Sequence, residues 1–155
     1  MNKEHHYALS LEWTGNLGTG TSDYRAYTRN HTIVSQGKPE LLASSDPSFR
    51  GDKTRYNPEE MLVAALSSCH MLSYLHVCVL SGVVVVEYTD NATGTMKENP
   101  DGSGQFTEVT LHPVVKVKDA SMIEKANSLH GKASQLCFIA RSVNFPVHHT
   151  PTAVV

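Results

Sequence analysis

The chain has no long run of basic residues. Its 13 Lys and Arg are set against 15 Asp and Glu, for a formal charge of −2. Nucleic acid, which needs a clustered positive footprint, is therefore not expected as a partner. Charged residues are only 18% of the chain and apolar residues 40%, the balance of a globular protein rather than a disordered one. The cysteines number three, an odd count that does not suit a small secreted disulfide scaffold. A cytosolic setting, where a disulfide is usually transient and catalytic, fits better. Met1-Asn2-Lys3-Glu4-His5-His6 leads directly into a strand-like segment, with no signal-peptide pattern. There is no internal repeat and no low-complexity stretch. The 155 residues suggest one domain, 1–155, able to bury roughly 68–70% of the surface of its unfolded chain.

Another absence lies in the middle. From Met61 to Val86 there is no Asp, Glu, Lys or Arg. Ser67, Ser68, Ser73, Ser81, two His and Gly82 interrupt the segment, so it falls short of about 20 mostly apolar residues in a row. It reads as a helix enclosed by protein, not as a membrane span. Asn57 is a cap, Pro58 suits the first helical position, and Glu59 and Glu60 favour the positive end of the helix dipole. Gly82 is the natural stop. A helix over 58–81 would span roughly 36 Å.

Strand signals flank this helix. Residues 7–17, 23–35 and 40–44 are strand-like before it, with a loop over 45–56. After Gly82, residues 83–88, 93–97 and 106–118 are rich in β-branched side chains. Asn99-Pro100-Asp101-Gly102-Ser103-Gly104 is a turn between the last two. A second helix is expected from Asp119 or Ser121 to about Gln135. Cys137–Arg141 would be a short helical turn, and Ser142–His148 a final strand or extended tail. Strands, helix, strands, helix is an α+β pattern.

Helix geometry sorts the thiols. Cys78 follows Cys69 by nine residues, about 900° of rotation and roughly 13 Å of rise, which places the two on opposite sides. A disulfide needs Cα atoms about 4.4–6.8 Å apart, so they cannot pair within the helix. Cys137 remains as the intramolecular partner open to Cys69, and Cys78 reads as a small buried hydrophobe. An inert core thiol stays open for Cys69, because reactivity requires a lowered pKa or a nearby cation. The nine His form no compact Cys/His spacing of a zinc site. His70 and His76 stand about 240° apart on the helix. His70 could tune Cys69 or line a pocket, although a satisfied core histidine is the commoner case. Ser67 and Ser68 belong to no Ser-His-Asp pattern.

Asn57-Pro58-Glu59-Glu60-Met61-Leu62-Val63-Ala64-Ala65-Leu66-Ser67-Ser68-Cys69 strongly resembles the central-helix motif of the OsmC/Ohr family. Trp13-x-Gly15 and Gly18-x-Gly20-Thr21 resemble the family's first hairpin. Ala133-Ser134-Gln135-Leu136-Cys137 with Ser142-Val143-Asn144-Phe145-Pro146-Val147 resembles its C-terminal cysteine segment. The resemblance implies an OsmC-like α+β fold of two antiparallel sheets and long central helices in an intertwined homodimer. It implies an antioxidant thiol peroxidase of oxidative stress, acting on organic or inorganic hydroperoxides, with no metal or organic cofactor. Cys69 would become a sulfenic acid and Cys137 would resolve it to a disulfide. An external dithiol would restore both. The family's activating arginine sits on the N-terminal hairpin and is held by the Glu equivalent to Glu59. Residues 15–20 hold no Arg, which leaves Arg25, Arg29 and Arg50 as substitutes. Arg29 is favoured, from an alternation of Arg25, Tyr27, Arg29 and His31 on one strand face. The alternative reading is an OsmC-like stress or small-molecule binding protein without efficient turnover.

Overall fold

Asn57 starts the long helix α1 (Pro58–Ser81). Its side-chain oxygen accepts from the Glu60 N–H at 2.9 Å, and the Glu60 carboxylate accepts from the Asn57 N–H at 3.2 Å. This reciprocal box satisfies two donors that a helix start leaves without partners. Gly82 closes the helix at φ 72°, a left-handed conformation that costs glycine nothing sterically. The Val83 N–H then reaches back to the Cys78 carbonyl at 3.0 Å. Both ends fall where the sequence puts them. In the computed structural model residues 2–155 are described, and they form two compact units, one ending at Met61 and the other running from Leu62 to Val155.

The N-terminal unit is built on an antiparallel meander of β1 (Ser10–Trp13), β2 (His31–Val34) and β3 (Leu41–Ala43). Between β1 and β2 the chain does not extend over 23–26 as the sequence suggests, and it returns to pair at Tyr27, which bridges Asn16. Asp23 accepts from the Arg25 N–H through its carboxylate at 2.9 Å and from the Ala26 N–H through its carbonyl at 3.0 Å. A short polar side chain thus turns a segment whose Tyr and Thr residues favour a strand. Gly15 is required here: a Cβ would lie 2.0 Å from the Thr28 carbonyl oxygen.

In the second unit, β4 (Val85–Asp90) pairs antiparallel with β7 (Pro113–Val117). The β5 strand (Thr93–Glu98) pairs antiparallel with β6 (Gly104–Leu111) across the expected turn. Two short C-terminal strands, β8 (Val147–His149) and β9 (Thr152–Val154), add in parallel to β6 and β7. The described residues therefore form three three-stranded sheets, two of them mixed, where two antiparallel sheets were expected. The parallel pairs arise because β8 and β9 return only after a helical crossover, which tight hairpins cannot supply. The expected helix from about 119 to 135 is two helices, α2 (Ile123–Ser128) and α3 (His130–Leu136). Its break coincides with the Ser128 hydroxyl donating to the Lys125 carbonyl at 2.7 Å, a side-chain bond that competes with the helical ladder.

The buried face of α1 carries Leu66, His70, Tyr74, Val77 and Cys78, the i, i+4, i+8 spacing of one helix stripe. Leu66 packs with Val109 and Leu111 of β6. Tyr74 and Cys78 pack with Val115 and Val117 of β7, Ala126 of α2 and Ala133 of α3. Leu66 is fully buried, so Leu66→Ala is expected to lower unfolding free energy by about 2–5 kcal/mol. Urea titration at pH 7.5 measures this, and a loss near zero would mean that this stripe is not core.

Candidate functional site

Helix α3 is only seven residues long, from His130 to Leu136, and Cys137 is its C-cap. His130, Ala133 and Cys137 are its buried positions, spaced i, i+3 and i+7 on one face. On α1, Cys69 and His70 are consecutive. His70 belongs to the buried stripe and Cys69 sits half-buried at its edge.

The two helices meet through both kinds of side chain. The Cys69 and Cys137 thiols are neighbours, close enough for Cys69 to bear on the titration of Cys137, and both are free cysteines. Burial, together with the neighbouring Cys69, pushes the Cys137 thiol up to about 11. Cys137 is thus held as the thiol, a poor nucleophile until it gives up its proton. The Ala140 N–H points at the Cys137 sulfur from 3.4 Å. Cys78 lies in the core, its thiol raised mainly by burial, in keeping with a structural role. Cys69 and Cys137 are brought together as the resemblance implies.

Beside the thiols is a stack of aromatic rings. His70 Nε2 and His130 Nδ1 are 3.0 Å apart. The His130 ring lies 3.9 Å, centre to centre, from Tyr74. His149, half-buried at the end of β8, stacks at 5.6 Å from His70 and 6.1 Å from His130. Asp90 of β4 supplies the nearby negative charge, its carboxylate fixed by the Ser67 hydroxyl at 2.5 Å and the His112 N–H at 2.7 Å. Desolvation, and then the charge of His149, lower His70 to about 4 against the pull of Asp90. Desolvation, then His70 and His149, lower His130 to about 3. The rings are stacked rather than converging on a point. Among the described residues no three His, Cys, Asp or Glu are arranged to hold a metal ion.

Arg29 is placed differently from the expectation. Residues 23–26 form turns and bends, so Arg25 leaves the expected strand face, while Tyr27 bridges Asn16, and Tyr27, Arg29 and His31 line one recess. The Arg29 guanidinium lies 4.4 Å from the Tyr24 ring centre and 4.1 Å from that of Tyr27. It donates to the Tyr27 and Tyr24 carbonyls, both at 2.8 Å. Glu59 stands half-buried in the first turn of α1 and makes no ion pair with Arg29 among the described residues. Arg50 takes a left-handed conformation at φ 65°. With Tyr27, Arg29 lines a recess of about 400 Å³ that also includes Trp13, His31 and Ser44.

The sequence reading did not find His130, His149 or Asp90. A usable signal was present: His70 shares the stripe of Leu66 and Tyr74, and His130 shares that of Ala133 and Cys137. Both histidines were marked by spacing as inward-facing.

The neutral histidine pair has a thermodynamic consequence. In the unfolded chain both titrate near pH 6.5, and one pKa unit is about 1.4 kcal/mol. Between pH 6.5 and about 4 the unfolded form binds more protons, so stability is full above pH 6.5 and falls as the pH drops toward 4. The expected loss is a few kcal/mol by urea unfolding at pH 7.5, 5.5 and 4.5. His70→Phe combined with His130→Phe should flatten this dependence. Equal parent stability at pH 7.5 and 4.5 would show that the pair is not buried neutral.

The OsmC-like protein family profile matches residues 51–152. An uncharacterized protein of Bacillus subtilis (strain 168), YmaD, is 25% identical over 143 residues, 90% of this chain and 87% of that one. The structure of an OsmC-like protein of unknown function from Vibrio cholerae O1 superposes with a TM-score of 0.86 at 32% identity, covering 96% of this chain and 99% of the other. An organic hydroperoxide resistance protein from Elizabethkingia anophelis superposes with a TM-score of 0.69 at 20% identity, over 98% and 100% of the two chains, a likeness of fold. The profile spans most of the second unit and the end of the first, and the chain belongs to the OsmC-like protein family.

Proposed function

We propose that the protein is a cytosolic thiol peroxidase that reduces organic or inorganic hydroperoxides through Cys69 and Cys137. The observation that carries this reading is the contact between the two thiols. The Cys69 thiolate attacks one peroxide oxygen, the O–O bond breaks, and the alkoxide leaves to take up a proton as an alcohol. Cys69 is oxidised by two electrons to the sulfenic acid. The Cys137 sulfur then attacks the Cys69 sulfur. The sulfenic hydroxyl leaves with the Cys137 proton as water, and a disulfide forms. An external dithiol reduces it by two exchanges, becoming a disulfide itself. The name of the Elizabethkingia relative, an organic hydroperoxide resistance protein, supports hydroperoxides as the substrate class.

In the same reading the working unit is a homodimer. One face of α1 leaves Leu72 61%, Val79 76% and Leu80 73% exposed, a stripe at i, i+7 and i+8 suited to packing against a second copy. An arginine brought to Cys69 by that copy, Arg29 with Glu59 behind it, would supply the positive charge that a reactive thiolate needs.

A second reading, a stress or small-molecule binding protein with little turnover, is favoured by one observation: the Arg29 guanidinium is already held by two carbonyls and two aromatic rings.

Cumene hydroperoxide consumption driven by an external dithiol separates the two. Cys69→Ser should reduce it to background, whereas Cys78→Ala should keep it within about twofold. A parent protein no faster than Cys69→Ser would establish the binding reading. For the assembly, Leu72→Glu combined with Val79→Glu should shift the mass in light scattering from dimer to monomer. An unchanged mass would place the interface elsewhere.

A further inference from the structure

The Cys69–Cys137 contact and the His70–His130 contact are made by the same two helices. On α1 the contacting residues are adjacent in sequence. On α3 they are seven residues apart, one at each end of the helix. The other face of α3 is open, with Gly131, Lys132, Gln135 and Leu136 exposed. Leu129 kinks the chain before it, and Phe138 after it is 78% exposed. His130, Ala133 and Cys137 are therefore its fully buried anchors.

His130 is 1% exposed, yet its Nε2 has no hydrogen-bond partner. A buried N–H without an acceptor costs about 1–3 kcal/mol. The network thus assigns the His130 proton to Nδ1, donated to His70 Nε2, and leaves Nε2 as a bare lone pair. Any further proton on His130 would have to sit at Nε2, facing no acceptor. A fully protonated pair would carry two donors at the 3.0 Å contact and could not keep it. The charged groups facing the pair are few. They are His149 on β8 and Asp90 on β4, with Tyr74 on α1 and Tyr88 on β4 as neutral phenols beyond them. Asp90 is the single negative charge, and the Ser67 hydroxyl and the His112 N–H already share it.

We propose that His130 is a positioning residue for the cysteine pair. While its hydrogen bond to His70 is intact, α3 holds Cys137 against Cys69, and protonation of the His70–His130 pair releases α3 and separates the thiols. This rests on the redox reading of the two cysteines and adds a pH-sensitive step to it. The controlled event is resolution, the closing of the disulfide, and not the first attack on peroxide. Acidic conditions would leave Cys69 as an unresolved sulfenic acid, open to a small external thiol or to overoxidation.

The test compares the parent with His130→Phe, which keeps a ring on Tyr74 and takes no proton. Each is oxidised at pH 7.5, 6.0, 5.0 and 4.5, in one series with diamide and in another with cumene hydroperoxide plus dimedone. Mass spectrometry counts the Cys69–Cys137 disulfide and the dimedone adduct on Cys69. Expressing the variant's disulfide yield relative to the parent at each pH cancels the thiol ionisation common to both. The expected result is a parent disulfide yield that falls at least about tenfold relative to the variant between pH 7.5 and 4.5, with the dimedone adduct rising in its place. A ratio that does not change with pH overturns the proposal. If diamide shows the pH effect and hydroperoxide oxidises nothing, the peroxidase reading fails and the histidine clamp stands. Should His130→Phe not fold, amide exchange in the parent decides instead. Protection factors for residues 131–137 should fall about tenfold from pH 7.5 to 4.5 while those of β6 hold, and a uniform change overturns the proposal.

Discussion

The packing of a seven-residue helix against a 24-residue one is the contact on which the site depends. Cys69 could not reach Cys78, which lies further along its own rigid helix, so any internal partner must come from another element. That element is α3, and its grip on α1 is narrow: an alanine in the core and, at the two ends, a histidine and a cysteine. The long helix needs no help from α3 to form, because it has a two-way cap at Asn57 and Glu60 and a core stripe from Leu66 to Cys78. The short one is held chiefly by tertiary contacts, since helices of this length are marginal alone. A rigid carrier for Cys69 and a loosely anchored carrier for Cys137 suit a reaction in which one sulfur must approach another, bond, and later be freed.

The electrostatics have the same asymmetry. Cys137 is buried beside Cys69 and kept protonated. Asp90, the carboxylate acting on His70, is tied down by a serine hydroxyl and a backbone N–H. In the proposed thiol chemistry this unit would supply the geometry and the Cys137 proton. The positive charge that would sharpen it has to come from elsewhere. Arg29 lies over the Tyr24 and Tyr27 rings and donates to both of their carbonyls.

Much of this could be read from the sequence where a local rule governs. Asn57-Pro58 and Gly82 bracket α1 to the residue because capping and left-handed termination are decided within a few positions. The exclusion of Cys78 needed only helical rise and rotation. The readings that failed were those in which one short polar side chain outweighed a run of propensities. Asp23 folds a strand-like segment into turns, and a break next to Ser128 divides one expected helix into two. The histidine stack was hidden for a different reason. His70 and His130 are 60 residues apart, and nothing local says that two inward-facing histidines share a hydrogen bond. Their spacing within each helix placed them in the interior, but only the tertiary packing of α3 on α1 made them partners. The same holds for β8 and β9, whose parallel pairing depends on where the helical crossover delivers them.

The central claim is that Cys69 and Cys137 form one redox unit and Cys78 stands outside it. Thiol counting after one equivalent of cumene hydroperoxide tests this most directly, with peptide mapping to locate the oxidised residues. The account predicts that two of the three thiols are lost in a single Cys69–Cys137 disulfide, with Cys78 still open to alkylation on unfolding. Retention of all three thiols, or a disulfide that includes Cys78, would contradict it.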